Sequence, residues 1–261
     1  RIMPALRRVY IPSLPFWKGE IMGFILERFT QELERLISEH SLGNEMVSVS
    51  ARPLTPEEAI GSPTHSDYPL LKGKERMMQA VFQGTPGQAF SDHTGNFTGS
   101  LSHVLNLSMD SNFHRALLVA IANAVLRKMS VISKSCHCKD HDPVMCASYL
   151  TETLLPFSPK RIGMIGDQPR LLEAVVANFE VRVCDRDPEK VGTVQSGIVI
   201  EDAEVYGDIK KWADLLLVTG TTLVNDTIDN FTGDVPIVYY GITITGAAQL
   251  LNLNHVCPLG R

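Results

Sequence analysis

The feature that most constrains this chain is the rhythm after residue 160. Short runs rich in Val, Ile and Leu recur at RIGMIG (161–166), VRVCDR (181–186), GIVI (197–200), DLLLVTG (214–220) and PIVYYG (236–241). Between them lie a helical stretch, QPRLLEAVVANF (168–179), and others near 221–231 and 246–251. Strands without polar alternation must be buried on both faces, and interleaved helices are the connections that parallel pairing requires. The second half is therefore expected to be Rossmann-like, a mostly parallel sheet covered by helices on both sides.

The first half reads differently. In residues 19–40, Ile21, Ile25, Phe29, Leu33 and Ile37 recur every four residues, as on an amphipathic helix, and Gly43 is a plausible stop. Val47, Val49 and Ala51 alternate with serines as in a strand, residues 52–76 read as loop or several short elements, and Met77 to Phe82 reads as a strand. Residues 84–100 are rich in Gly, Thr, Ser and Asn. They suit a surface hairpin loop or a flexible stretch that offers N–H groups to a ligand, with Asp92 and His93 as its candidate side chains. Asp110, Ser111 and Asn112 offer caps for a helix running to about Met129. That helix is apolar nearly all round and should lie between layers, where Asn123 needs a hydrogen-bond partner. The expected fold class is α/β, with an α+β domain over 1–110 and a Rossmann-like domain over 111–261, the helix at 112–129 packing with either.

Bulk properties exclude several functions. A net charge of −5 over 261 residues gives no basic field for nucleic acid. No apolar run reaches the roughly 18–20 residues of a membrane span. Residues 1–20 lack a signal peptide's apolar core, being broken by Pro4, Pro12 and Pro15. Five cysteines, an odd number in a chain of this length, point to reduced thiols and a cytoplasmic location. A homo-oligomer is compatible with all of this.

Three of those cysteines fall in SCHCKDHDPVMC (135–146). On an extended chain Cys136 and Cys138 point to one side and His137 to the other. With His141 and Cys146 they form C-x-C-x2-H-x4-C, compact enough to gather a thiophilic ion such as zinc, iron or copper. The spacing matches no standard structural zinc motif. Two other readings stay open: a redox thiol, with Cys138 attacking and Cys136 or Cys146 resolving, and cysteines that serve as small buried hydrophobes.

Open parallel sheets bind ligands beyond the carboxyl ends of their strands. Polar clusters fall there at Gly166-Asp167-Gln168-Pro169, at Cys184-Asp185-Arg186-Asp187, and at Thr219-Gly220-Thr221-Thr222 with Asn225. Asp185 follows Gly166 by 19 residues, near the offset of a ribose-binding acid. The G-x-G-x-x-G fingerprint is missing, however, and Asp167 sits where a pyrophosphate would lie. NAD is thereby disfavoured, and S-adenosylmethionine or another ligand without phosphates is left. The 219–225 turn could receive an anion on its N–H groups, or Thr221 or Thr222 could simply cap a helix.

HCKD-x-x-P-x-x-CA (137–147), RIGMIGDQP, CDRDPEKVG (184–192) and ADLLLVTGTTLVNDTID (213–229), together with GQAFSDHTGNFTGSL (87–101) and RALLVAIANAVL (115–126), resemble the DUF364 family. The resemblance spans most of the chain from about residue 77 onward. It implies an N-terminal domain similar to that of enolase packed on a Rossmann-like domain, a site at their junction, and heavy-metal chelation. The positions it carries over are His137, Cys138, Cys146, Thr219, Gly220, Thr221 and Asn225; Cys136 and His141 lie outside the pattern. The leading expectation is a protein that binds or handles a thiophilic metal. The alternative is a small-molecule enzyme whose 219–225 turn holds an anionic group, with Asp185 on a diol or amine and Cys138 or His93 moving protons or attacking. A structural role without a small ligand is the third reading.

Overall fold

The computed structural model describes residues 24–42, 49–72 and 75–261. Ile25, Phe29, Leu33 and Ile37 form the buried stripe of α1 (Phe24–Glu39), so the four-residue period holds there; Ile21, Gly43 and Val47 lie outside the described residues. β1 (Val49–Pro53) is followed by α2 (Pro56–Ile60), which starts at Thr55 in a capping box with Glu58, and by α3 (Pro69–Lys72). β2 (Arg76–Phe82), β3 (Thr85–Ser91) and β4 (Phe97–Gly99) complete an antiparallel sheet of order β3-β2-β1-β4. The stretch read as a polar loop is thus largely strand. Its small residues are what let it pack, because a Cβ on Gly87 would fall on the backbone of Ala120 and Ala124.

After α4 (Leu101–Leu105), α5 (Asn112–Lys128) is capped by the Ser111 hydroxyl and buries Arg115 through Leu126 without a break. It has no polar face because it is covered on two sides, by β2 and β3 and by the helices of the parallel half. Asn123, fully buried, joins those two sides. Its Nδ2 donates to the carbonyls of Gln88 (2.9 Å), Thr243 (3.2 Å) and Ile242 (3.3 Å), and its Oδ1 accepts from Gly246 N (2.9 Å).

The parallel half comprises α6 (Asp142–Leu154), β5 (Arg161–Ile165), α7 (Pro169–Val176), β6 (Glu180–Asp185), β7 (Val194–Gln195), β8 (Ile198–Asp202), α8 (Tyr206–Trp212), β9 (Leu215–Thr219), α9 (Thr221–Val224), β10 (Ile237–Tyr240), α10 (Thr245–Leu251) and β11 (His255–Val256). Its sheet has the order β11-β10-β9-β5-β6-β8-β7, and all neighbours are parallel except β7 with β8. The first strand, β5, is central. The chain adds β6 and β8 on one side, then returns to add β9, β10 and β11 on the other, so the order reverses between β5 and β9. In doubly wound sheets a crevice opens at that reversal. The molecule is a mixed α/β structure with two sheets, one of them mostly parallel. Among the described residues no helix is long and apolar enough to cross a membrane.

Candidate functional site

A cavity of about 500 Å³ lies at the reversal point, within the size range of small-ligand sites. The carboxyl ends of β5, β6, β9 and β10 form its floor, and Tyr68, Glu75, Phe90 and the cysteine segment close it from the other half. Arg170 on α7 secures that closure: its guanidinium meets Asp67 Oδ2 at 2.5 Å and His65 Nδ1 at 3.1 Å, beside Tyr68.

Gly166 turns the chain out of β5 at φ +88°, and a Cβ there would lie 2.7 Å from Thr219 Cγ2 and 3.0 Å from Tyr240 Oη. Asp167 follows, its side chain 1% exposed and neither carboxylate oxygen hydrogen-bonded. Lys190 Nζ lies 3.1 Å from Asp167 Oδ2, but its hydrogen bonds go to the Asp167 carbonyl (3.0 Å) and Asp185 Oδ2 (3.2 Å). Asp185 Oδ2 also accepts Asp167 N at 2.7 Å, and Oδ1 accepts Asp187 N at 2.9 Å. Asp185 is therefore largely spent on holding the two loop ends together, which leaves little of it for a ribose diol. Burial pushes the Asp167 carboxyl above its usual range, against the opposing pull of Lys190. Glu75, partly buried on the facing side, is pushed up to about 7 by burial and by Asp185, Asp187 and Asp92, with Lys190 pulling the other way.

The 219–225 turn is at the cavity but uses much of its own polarity. Gly220 N donates to the Tyr240 carbonyl (2.9 Å), Thr221 N to Thr219 Oγ1 (3.4 Å), and Thr222 Oγ1 to the Thr219 carbonyl (2.7 Å). The cap of the short α9 is Gly220, not Thr221 or Thr222. Asn225 lines the cavity and accepts from Asn112 at 3.4 Å. Two N–H groups expected to meet an anion are thus committed within the fold.

The cysteine segment divides. It bends at Cys136 instead of running extended, because Cys136 pairs through its backbone with Arg261 in both directions at 2.8 Å, while His137 N turns to Gln88 Oε1 at 2.7 Å. Cys136 consequently lines a separate depression with Arg127 and Arg261. His141 is exposed at the start of α6. The same-side reading of Cys136 and Cys138 is therefore corrected, and the C-x-C-x2-H-x4-C grouping does not converge. Cys138, Cys146 and His137 do line the cavity, joined by Cys257 just after β11. The Cys138 and Cys146 thiols lie against each other: contact with its partner raises the Cys138 pKa and lowers that of Cys146. Burial first, and then the Cys146 charge, pushes Cys257 up to about 12. Burial keeps His137 below the usual imidazole range and hence neutral. Among the described residues no three His, Cys, Asp or Glu side chains are arranged to hold a metal ion.

Asp92 and His93 pair with each other at 3.0 Å outside the cavity lining, Asp92 also accepting from Asn112 at 2.7 Å. Sequence reasoning missed Tyr68, Glu75, Lys190 and Cys257. The leftover fifth cysteine was a signal for the last, and Lys190 follows Asp185 by five residues in the same loop. Nothing local marks Tyr68 or Glu75, which reach the cavity only through tertiary packing.

A family model described as "Putative heavy-metal chelation", DUF364, matches residues 151–252. In structure, the chain is similar to a DUF364-family protein of unknown function from Pyrococcus horikoshii, with a TM-score of 0.51 at 16% identity over 84% of this chain and 80% of that one. It is likewise similar to one from Desulfitobacterium hafniense DCB-2, with a TM-score of 0.50 at 12% identity over 85% and 82%. At these identities the likeness is one of fold. No curated protein matches the chain in sequence.

Proposed function

We propose that this chain, whose residues 151–252 match the DUF364 family model, binds a soft metal ion through Cys138 and Cys146, with Cys257 nearby. The observation that carries this reading is the contact of the Cys138 and Cys146 thiols in the cavity wall. The donor set tests the fit. Thiolates select copper(I), zinc and iron over hard cations. Among the described residues no three side chains are arranged around one ion, which does not suit a four-donor structural zinc site. Two thiolates suit copper(I) best, so the proposed role is holding such an ion beside an internal cavity. Five free thiols accord with a reducing compartment such as the cytoplasm.

The test is anaerobic titration with copper(I) and with zinc against a competing chelator, on the wild type and on Cys138→Ala, Cys146→Ala, Cys257→Ser and Cys136→Ser. One copper(I) per chain is expected, lost in the first two variants, weakened in Cys257→Ser and kept in Cys136→Ser. Binding that survives the loss of both Cys138 and Cys146 would refute the assignment.

A further inference from the structure

The opposite wall of the cavity poses a separate question of charge. Asp167 is almost wholly withdrawn from solvent, its Oδ1 has no partner, and its Oδ2 faces only the Lys190 ammonium at 3.1 Å. An ionised carboxylate in that condition is costly unless something donates to it. Lys190 does not meet the need, since one ammonium lies between two carboxylates, those of Asp167 and Asp185. Glu75, reaching in from the other half, brings a third acid close to Lys190 and Asp185. Arg186 reaches only the exposed rim. Among the described residues, three acids face one partly buried cation, which leaves the wall short of positive charge and of donors. The Tyr68 hydroxyl, also buried and lining the cavity, is a further polar group without a partner.

We infer that this wall binds the protonated amine or amidine of a small organic molecule, the cationic group donating to Asp167 and Glu75 while the body of the ligand lies on Leu70, Ile165 and Phe231. Three observations select this class. The acids face the wrong way for an anionic ligand, which would add a like charge beside Asp167. A hard metal ion, which needs several oxygen ligands, is disfavoured at this wall because no three acidic groups converge among the described residues. A hydroxyl-rich ligand of the nucleoside kind would look to Asp185, which is occupied by Asp167 N, Lys190 and Asp187 N. An ammonium supplies up to three donors and the missing charge together, in a charge-assisted bond about twice as strong as a neutral one. The shifts at Asp167 and Glu75 agree with this, since burial first, and then neighbouring carboxylates, hold both above their ordinary range against the pull of Lys190.

The site is distinct from the proposed thiol site, and the test is run without added metal, so its failure would not count against copper binding. Tryptamine, 2-phenylethylamine and cyclohexylmethylamine are titrated by calorimetry and ligand-observed NMR, each beside the matching alcohol and the matching carboxylate. The proteins are the wild type, Asp167→Asn and Glu75→Gln; the second variant keeps the test open should the first fold poorly. At least one amine is expected to bind saturably, about tenfold or more tighter than its alcohol and carboxylate, and to lose about tenfold in each variant. Equal or better binding of the carboxylates would overturn the inference. So would an amine preference unchanged in both variants, the absence of saturable binding by all three amines, or full displacement of the amine by manganese(II).

Discussion

Asn123→Ala should loosen the seam on which the cavity depends. The side chain is fully buried and joins β3 of one sheet to the segment around α10 of the other half through four contacts. Truncation leaves Gly246 N–H without the acceptor it has at 2.9 Å, and an unsatisfied buried donor costs about 1–3 kcal/mol. The Gln88, Ile242 and Thr243 carbonyls lose a shared donor, but Ile242 O still accepts Thr245 N at 3.1 Å, so this part should add only about 1 kcal/mol. A total near 3 kcal/mol corresponds to a fall in Tm of about 6–12 °C at this chain length. Asn123→Asp should be worse than alanine at neutral pH, because it turns acceptors toward three carbonyls. It should recover on acidification, when the buried carboxyl takes up a proton. Calorimetry at pH 5 and pH 8 measures both. A drop below about 2 °C in Asn123→Ala would mean that the hydrogen bonds do not join the two layers energetically, and the reasoning would fail.

Other perturbations test other links. Burial raises the folded pKa of Glu75 from its ordinary 4.5 to about 7, so its contribution is fully present below the lower value and lost as pH rises through the higher. Stability should decline from about pH 5 to pH 8, and Glu75→Gln should flatten that decline in urea titrations; parallel wild-type and variant profiles would contradict the shift. Gly87→Ala should cost more than about 3 kcal/mol, since its Cβ meets the backbone of α5 and no side chain can yield; a variant that melts like the wild type would contradict the close approach. Lys190→Met leaves the Asp167 and Asp185 carboxylates facing each other without their shared cation. It should lower Tm more at pH 8 than at pH 5, as thermal scans at the two values would register.

The parallel half was legible because its strands state their environment locally. LLLV at 215–218 is buried at every position, and only a two-sided sheet accepts such a run. β11 and the β7 edge were not legible, being two residues each, too short for any period to register. The 84–100 stretch misled for a different reason. Glycine and small residues mean a flexible turn in most contexts, but at Gly87 and Ala89 they mean close packing, and only α5 on the other side decides between the two. α6 was missed because its first turn overlaps the cysteine segment, whose residue types suggest ligation before they suggest a helix.

The site separates along the same physical line. Asp167, Asp185 and the 219–225 turn could be placed from sequence, because in this sheet class ligand-facing positions follow from where strands end. Their roles could not, since a role depends on which lone pairs and N–H groups the fold has already used. Asp185 and Gly220 are satisfied internally, whereas Asp167 Oδ1 is not. The cysteines make the same point in covalent terms. Cys136 is two residues from Cys138 and faces another depression, whereas Cys257, far along the chain, comes to the same cavity because β11 adds to the sheet edge beside β10. Spacing along the chain measures what a short extended segment could gather. Here the backbone pairing of Cys136 with Arg261 bends that segment, and the sheet order supplies the thiol that spacing assigned elsewhere. A ligand set written as a linear motif is therefore weaker than one written as strand ends, and Cys257→Ser set against Cys136→Ser in the copper titration is the comparison on which the two descriptions part.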